Sequence, residues 1–185
     1  MRGLNASKKW NSIRDKISES KCDIACLQET KREIFDDMFV RRFCPASLDK
    51  FAFHPSVGAS GGMITLWKGC LFDGEPVHSN EFALSVKFRS LHNSDEWILS
   101  NIYGPCVSEG KRQFLSWFSG IQMPSNLNWL IVGDFNLIRS PENRNKPGGS
   151  MKCYSLMQLS VPLGLWKFFY MVENKPGQIN NQIRF

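Results

Sequence analysis

The chain has 185 residues, of which 42% are hydrophobic and 22% are charged, and it carries a formal net charge of +6. This globular mixture excludes a disordered tail, a collagen-like repeat and a coiled coil, and no apolar run approaches the roughly 18 residues that a membrane helix needs. The length predicts one domain over residues 1–185, and the first residues show neither a secretory signal nor a transit-peptide pattern.

The first part of the chain shows two helical patterns with a strand between them. Residues 7–20 and 33–43 carry apolar side chains three and four positions apart, the spacing of amphipathic helices, and Ile34, Met38 and Phe39 form the second pattern. Residues 23–28 form a short apolar run, which is typical of a buried strand. We therefore expect two helices that flank this strand in sequence.

Two pairs of strands are predicted in the middle of the chain. Residues 51–53 and 63–67 flank a glycine-rich turn at 58–62 and are expected to be strands around it. Residues 83–88 alternate in polarity, and a short polar link joins them to an apolar run at 96–103, which predicts a hairpin. The glycines are more typical of a tight turn than of a phosphate cradle.

The remaining elements lead to a change in composition. An amphipathic helix at 110–121 precedes an apolar strand at 128–132, and a loop at 139–150 is rich in proline, asparagine, glycine and basic residues. Residues 151–159 favour a helix, and residues 160–185 show no clear pattern. This order of helices and strands predicts an α/β fold in which helices cover sheets.

The six cysteines favour a reducing compartment. They contain no CxxC pair, and the histidines lie far from any paired thiols, so the spacing of a zinc finger is absent. Scattered structural thiols are therefore predicted, together with an intracellular location.

The basic excess gathers in the last quarter of the chain. Arg139, Arg144 and Lys146 fall in the polar loop at 139–150. Such a segment suits a polyanion, and it equally suits a solvated surface that keeps the protein soluble. Composition alone leaves both interpretations open.

Polar side chains stand at the ends of three apolar strands: Glu29, Tyr103, and Asp134 with Asn136. α/β folds bind ligands at such strand ends, and two carboxylates with an amide form the oxygen-rich set that Mg²⁺ prefers. Each residue also has an ordinary structural interpretation, Glu29 as a helix cap and Asp134 with Asn136 as an Asx turn. Tyr103 is equally well explained as a strand end before a turn.

Five short motifs occur in an order that is more specific than any one of them alone. They are Arg-Gly-Leu-Asn at 2–5, Cys-Leu-Gln-Glu-Thr-Lys at 26–31, Ser-Gly-Gly at 60–62, Asn-Ile-Tyr-Gly-Pro at 101–105 and Gly-Asp-Phe-Asn at 133–136. The set resembles the endonuclease/exonuclease/phosphatase family, which includes apurinic DNA endonucleases. Within that family the motif sequences are most similar to those of the endonuclease domains of plant LINE-type retrotransposons. The resemblance predicts a family core at residues 1–150 and a divergent C-terminal segment at 151–185.

The resemblance implies a role for each strand-end residue. Glu29 matches the family's metal-binding glutamate. Tyr103 matches the tyrosine whose hydroxyl reaches the phosphate. Asp134 matches the aspartate that orients or activates the attacking water, and Asn136 matches the amide that holds the phosphate or transition state.

The resemblance also implies a fold, a chemistry and a partner. The fold is a four-layer α/β sandwich, two packed mixed sheets flanked by helices, here with an incomplete second half. The chemistry is Mg²⁺-dependent hydrolysis of a phosphate ester, with Mn²⁺ as an alternative and no further cofactor. DNA is the implied partner, with Arg139, Arg144 and Lys146 as nucleic-acid-binding residues, no membrane partner, and the nucleus as the implied location.

Some family features are missing from this sequence. The family carries an asparagine metal ligand two residues before the arginine that Arg2 matches, and its final histidine has no counterpart after His92. The ending at 182–185 is similar to a family Leu-Asp strand, with Arg184 in place of the aspartate. These departures predict a domain truncated at both ends, weak or absent activity, and an unpaired sheet edge that invites self-association.

Two alternative functions remain at this point. A basic segment beside a damaged site favours a non-catalytic nucleic-acid-binding remnant. A phosphatase of small phosphate esters is a further activity within the same family. The similarity of the motifs to those of retrotransposon endonucleases favours DNA over small phosphate esters as the substrate.

Overall fold

A computed structural model describes most of the first three quarters of the chain and two strands near its end: residues 3–5, 7–58, 60–122 and 127–136, with the backbone of Lys167–Met171 and Gln182–Arg184. The predicted loop at 139–150 and the predicted helix at 151–159 lie outside these residues. No helix in the described ranges is long and apolar enough to cross a lipid bilayer.

The described residues contain three α-helices and nine strands in the following order: α1 (Trp10–Ser20, after a 3-10 turn at Ser7–Lys9), β1 (Ile24–Gln28), α2 (Asp37–Phe43), β2 (Lys50–Val57), β3 (Ser60–Trp67), β4 (Phe72–Ser79), β5 (Ala83–Ser90), β6 (Glu96–Tyr103), α3 (Ser108–Gly120), β7 (Asn128–Asp134), β8 (Lys167–Met171) and β9 (Gln182–Arg184). The strands form two sheets, ordered β2-β3-β1-β8-β9 and β4-β5-β6-β7. Both sheets are mixed, because β1 runs parallel to β8 and β6 runs parallel to β7, whereas the other neighbours are antiparallel. The predicted hairpin, β5 with β6, is thus confirmed, and the two strands predicted around the glycine-rich turn, β2 and β3, pair as well.

The first sheet separates two apolar cores. Every residue of β1 is buried, and consecutive side chains of a strand point to opposite faces. Ala25 and Leu27 belong to the core that includes α1 and α2, whereas Ile24 and Cys26 belong to the core between the two sheets. A strand buried on both faces is expected to be mostly apolar, which explains the apolar run Ile24–Leu27 that precedes the buried Gln28.

The second sheet is covered on its outer face by α3. Phe114 of α3 is fully buried in a cluster with Phe82, Ala83 and Ile102. The layers are therefore helix, sheet, sheet and helix. The predicted four-layer α/β sandwich with two packed mixed sheets is confirmed.

The second helix is shorter than predicted. It begins at Asp37 because the Asp36 side chain accepts a hydrogen bond from the backbone N–H of Phe39 at 2.7 Å, which caps the helix. Ile34 and Met38 are 70% and 73% exposed, so their assignment to an apolar helix face is wrong. Aromatic side chains of the same segment occupy the core instead.

The sequence pattern does not predict β4. This strand lies at the edge of the second sheet, most of its residues are exposed, and its register with β5 shifts between Pro76 and His78. Proline is tolerated in edge strands, where a missing N–H breaks no ladder. An exposed edge strand with proline carries neither alternation nor an apolar run.

The C-terminal part of the chain adds two strands beside β1. β8, in the segment that shows no sequence pattern, pairs in parallel with β1, and β9 pairs with β8 so that Arg184 lies opposite Lys167. The outer strands of this sheet, as far as the structure describes it, are β2 and β9. The unpaired edge predicted from the missing first strand, and self-association through it, stay predictions.

A buried polar bridge joins the two sheets near the strand ends. Gln28 at the end of β1 donates a side-chain hydrogen bond to Asn101 of β6, and the two residues are 2% and 0% exposed. The Asn101 amide in turn donates to the carbonyl of Ile64 at 3.2 Å and to the hydroxyl of Thr65 at 3.4 Å. Asn101 therefore connects β1, β3 and β6 just below the polar residues that end β1 and β6.

Asn101→Ala is expected to lower the free energy of unfolding by about 2–4 kcal/mol, because it leaves a buried amide and a buried carbonyl without their partner. Urea denaturation measures the change. Asn128→Ala, an exposed asparagine at the start of β7, is the control and should stay within about 0.5 kcal/mol of the parent. Equal effects of the two substitutions would contradict the bridge.

Candidate active site

The structure brings the strand-end residues together. Tyr103 and Asp134 are paired neighbours at the ends of the parallel strands β6 and β7, and the backbone N–H of Asn136 donates to the Asp134 carboxylate at 2.9 Å. The charge of Glu29, which follows β1 in the other sheet, acts on both Tyr103 and Asp134. Four residues that are far apart in sequence thus share one end of the sandwich.

Three other predicted residues cannot be located. Arg139, Arg144 and Lys146 lie outside the described residues, so their predicted contact with nucleic acid stays a prediction.

Glu29 lies in an unusual backbone conformation. Its φ is 54° and that of Lys31 is 53°, both in the left-handed region that side chains disfavour. Such residues cost about 1–3 kcal/mol each and persist only where their surroundings hold them. Four backbone hydrogen bonds supply that hold: Gly3 N–H to Glu29 O, Leu4 N–H to Thr30 O, Thr30 N–H to Gly62 O and Lys31 N–H to Gly61 O, at 2.8–3.1 Å.

Glu29 is not a helix cap. The next helix starts at Asp37 and is capped by Asp36, so the capping interpretation of Glu29 is wrong. The carboxylate lies 3.6 Å from the Lys31 ammonium, and its side chain is 28% exposed. The strained turn therefore presents a partly exposed carboxylate at the strand end.

Gly62 allows the β2–β3 hairpin to approach this turn. Its φ is +82°, and a Cβ there would lie 2.4 Å from the hydroxyl oxygen of Thr30. Gly61 and Gly62 lie within β3 and not in the turn that was predicted for them, and Gly62 serves the close contact with the Glu29 segment.

The Asx turn at Asp134 and Asn136 is present and coexists with the site. Asn136 has a φ of 48°, and its side-chain amide donates to the carbonyl of Gly104 at 2.6 Å. The turn fixes the Asp134 carboxylate and ties the segment after β7 to the segment after β6.

Two glycines let those segments approach closely. A Cβ on Gly104 would lie 2.2 Å from the carbonyl oxygen of Phe135, and a Cβ on Gly133 would lie 1.9 Å from that of Ile102. Real Cβ atoms do not approach so closely, so the adjacency of Tyr103 and Asp134 depends on glycine at both positions.

Burial and neighbouring charges shift the pKa values of two residues of the site. Burial raises the pKa of Asp134, the Asn136 N–H lowers it, and the nearby charge of Glu29 raises it again. Burial also raises the pKa of Tyr103, with further contributions from Cys106, Glu29 and Asp134. Tyr103 is therefore a hydrogen-bond donor at neutral pH, and two carboxylates that repel each other occupy the site.

The donor chemistry fits a hard divalent cation such as Mg²⁺ or Mn²⁺, since it consists of carboxylate and amide oxygens. Glu29 is the carboxylate predicted to hold it. Within the described ranges no group of three or more His, Cys, Asp or Glu residues is placed to hold a metal ion. The described residues thus offer the type of ligand atom that such a cation prefers, and they supply part of a full ligand set.

Lys111 was missed by the sequence interpretation. It is buried, with 9% of its surface exposed, and its charge acts on Asp134. A signal was available, because Lys111 lies three positions before Phe114 and therefore on the apolar face of α3.

No protein-family model and no curated protein matches the sequence. Solved structures do match the fold. The Xenopus laevis APE2 catalytic domain has a TM-score of 0.56 at 19% identity and covers 80% of this chain and 60% of its own. The human Nocturnin catalytic domain, solved with a bound sulfate anion, has a TM-score of 0.52 at 13% identity, covering 76% and 62%.

An endonuclease/exonuclease/phosphatase family protein from Bacteroides thetaiotaomicron has a TM-score of 0.50 at 13% identity, and covers 74% of this chain and 61% of its own. The chain therefore spans about three fifths of the length of these structures. At these identities the likeness concerns the fold alone. On that basis, the chain has the fold of the endonuclease/exonuclease/phosphatase family.

Proposed function

We propose that the chain is a metal-dependent phosphoester hydrolase whose substrate is DNA. The observation that carries the proposal is the convergence of Glu29, Tyr103, Asp134 and Asn136 at one end of the sandwich, with Glu29 and Asn136 held in strained backbone. Strain that neighbouring segments must hold in place is typical of functional sites.

The four residues divide the chemistry of phosphate ester hydrolysis among them. Glu29 would hold a divalent cation, which when bound would supply positive charge near the scissile phosphate. Asp134 orients the attacking water and accepts its proton. The protonated Tyr103 hydroxyl donates a hydrogen bond to a phosphate oxygen, and the Asn136 amide stabilises the charge that develops on the phosphate.

DNA is proposed as the substrate because the motifs resemble those of plant LINE-type retrotransposon endonucleases, from which we propose the chain derives. The net charge of +6 suits a polyanion, and the proposed residues for the DNA backbone are Arg139, Arg144 and Lys146. Action on DNA implies a nuclear location.

For the 185-residue chain we expect weak hydrolysis. The resemblance implies an asparagine ligand, a C-terminal aspartate and a histidine that this sequence does not match, and members of a catalytic unit act non-additively. A non-catalytic nucleic-acid-binding remnant and a phosphatase of small phosphate esters are the alternatives, and the same experiment separates them.

The test is nicking of supercoiled plasmid by the purified chain with Mg²⁺ or Mn²⁺, with EDTA, and with the Asp134→Asn and Glu29→Gln variants. We expect slow nicking that requires the cation and is absent from both variants. Trace activity that is equal in the parent and both variants would contradict the proposal. Hydrolysis of p-nitrophenyl phosphate without nicking favours the phosphatase, and salt-sensitive DNA binding without hydrolysis favours the remnant.

A further inference from the structure

Lys111 is a lysine in a place where lysine is rarely found. It is nine-tenths buried, whereas the next residue, Arg112, is exposed. The Nζ of Lys111 is not among the fully buried side-chain nitrogen and oxygen atoms of the described residues that lack a hydrogen-bond partner, so the alkyl stem is buried while the ammonium keeps some contact with solvent. The surroundings of Lys111 therefore indicate which part of the molecule its positive charge acts on.

The packing of α3 directs Lys111 toward the candidate active site. Phe114 and Phe118 contact the ring of Phe135, with ring centroids 6.3 Å and 5.7 Å apart. Lys111 is on the same face as Phe114, one turn nearer the start of the helix, and side chains on a helix lean toward its N-terminus. The Lys111 side chain therefore projects from the first turn of α3 on the face that packs against the segment carrying Asp134.

The start of α3 lies against the loop after Tyr103. A Cβ on Gly110, the residue before Lys111, would lie 3.0 Å from a side-chain carbon of Pro105. The helix has no side-chain cap, since Val107 occupies the capping position, so its first N–H groups keep their capacity to bind an acceptor. Glu109 places a carboxylate in this turn, and its side chain is exposed to solvent.

No described residue satisfies the Lys111 ammonium directly. Among the residues that the structure describes, none forms an ion pair within 4.0 Å of it or a hydrogen bond with it. Its charge acts on Asp134 from a longer distance, where it opposes the effect of burial on the pKa of that carboxyl. The ammonium is thus near the site without being neutralised by a salt bridge.

We infer that Lys111 and the first turn of α3 anchor a phosphate group of the substrate beside Asp134. The inference rests on the site of the proposed function and adds a residue to it. Glu29 and Asp134 repel an approaching phosphate, and the Lys111 ammonium, unpaired among the described residues, offsets that repulsion on the side of the site that faces α3. A charge-assisted hydrogen bond from an ammonium to a phosphate oxygen is among the stronger ones in proteins.

The test measures binding of inorganic phosphate to the full chain in EDTA, by isothermal titration and by thermal shift. EDTA removes any contribution from a divalent cation. The variants are Lys111→Met, Lys111→Gln as a second neutral variant should the first fail to fold, Lys111→Arg, and Arg112→Met as the matched control for an exposed cation one position away. Circular dichroism verifies that each variant is folded.

We expect the neutral variants to bind phosphate at least about tenfold more weakly than the parent, the loss of one charge-assisted hydrogen bond. Lys111→Arg should stay within about threefold of the parent, and Arg112→Met should be unchanged. The inference is overturned if the parent does not bind phosphate, if the neutral variants bind as the parent does, or if Arg112→Met loses as much affinity as they do.

Hydrolysis separates this inference from the proposed function. Phosphate binding that depends on Lys111 in a chain without metal-dependent nicking supports the anchor and contradicts the enzyme. Nicking by Lys111→Met with the KM of the parent contradicts the anchor and leaves the enzyme standing.

Discussion

Asp134→Asn is expected to lower metal-dependent hydrolysis at least about a hundredfold, to the background of the assay, while making the metal-free protein more stable. The lost activity follows from the role proposed for the carboxylate, because an amide cannot accept the proton of the attacking water, and a positioned base contributes a factor of this size. The substitution keeps the shape of the side chain and an oxygen that can accept the N–H of Asn136. A collapse of the turn is therefore not expected.

The gain in stability has a defined pH dependence. Burial raises the pKa of Asp134 in the folded protein, so the carboxyl favours folding while it is protonated and loses that contribution as the pH rises through its folded pKa. The asparagine variant should therefore exceed the parent at neutral pH, by about 1 kcal/mol or less because the partly exposed carboxylate keeps some hydration. The gain should vanish below about pH 4, the ordinary pKa of an aspartate.

Urea denaturation in EDTA at neutral and acidic pH measures this difference. Asp15→Asn, an exposed aspartate on α1, is the control and should change stability by no more than about 0.5 kcal/mol. A variant that loses activity without the pH-dependent gain in stability would show that the pKa of Asp134 is not raised in the folded protein. A gain that persists at low pH points to the same conclusion.

The strongly patterned elements could be predicted from the sequence, and with them the approximate place of the site. The runs that become β1, β6 and β7 are rich in apolar residues, which is typical of buried strands, and Glu29, Tyr103 and Asp134 stand at their ends. The helices α1 and α3 likewise follow from their apolar spacing. In these segments local periodicity and tertiary burial agree.

Prediction failed where tertiary context outweighs the local pattern. Ile34 and Met38 have helical spacing, yet the aromatic residues of the same segment take the core because they bury more apolar surface. β4 lies at a sheet edge with Pro76, where neither alternation nor burial marks a strand. β8 and β9 pair with distant segments, and no local pattern reports such pairing.

The detailed geometry of the site could not be predicted from the sequence either. The left-handed backbone of Glu29 is imposed by hydrogen bonds from two segments remote in sequence, near residues 3 and 62. The burial of Lys111 depends on where α3 contacts the end of β7. Motifs can identify which residues take part, but the distances and strain among them arise only when the two sheets and α3 come together.

Gly133→Ala is expected to destabilise the protein by about 3 kcal/mol or more. The φ of Gly133 is +140°, a conformation that alanine avoids, and the added Cβ would lie 1.9 Å from the Ile102 carbonyl oxygen. Backbone strain costs about 1–3 kcal/mol, and the overlap adds a similar amount because β6 and β7 have to move apart. For a chain of this length the melting temperature should fall by roughly 10 °C.

Gly120→Ala is the matched control, because no atom lies within 4 Å of the Cβ position and the residue ends α3. There alanine should raise stability by up to about 1 kcal/mol, since it favours a helix over the flexible unfolded chain. Separation of Tyr103 from Asp134 should also remove the activity of any Gly133→Ala protein that stays folded at low temperature. A Gly133→Ala protein that melts with the parent would mean that β6 and β7 are not in the close register on which the adjacency of Tyr103 and Asp134 depends.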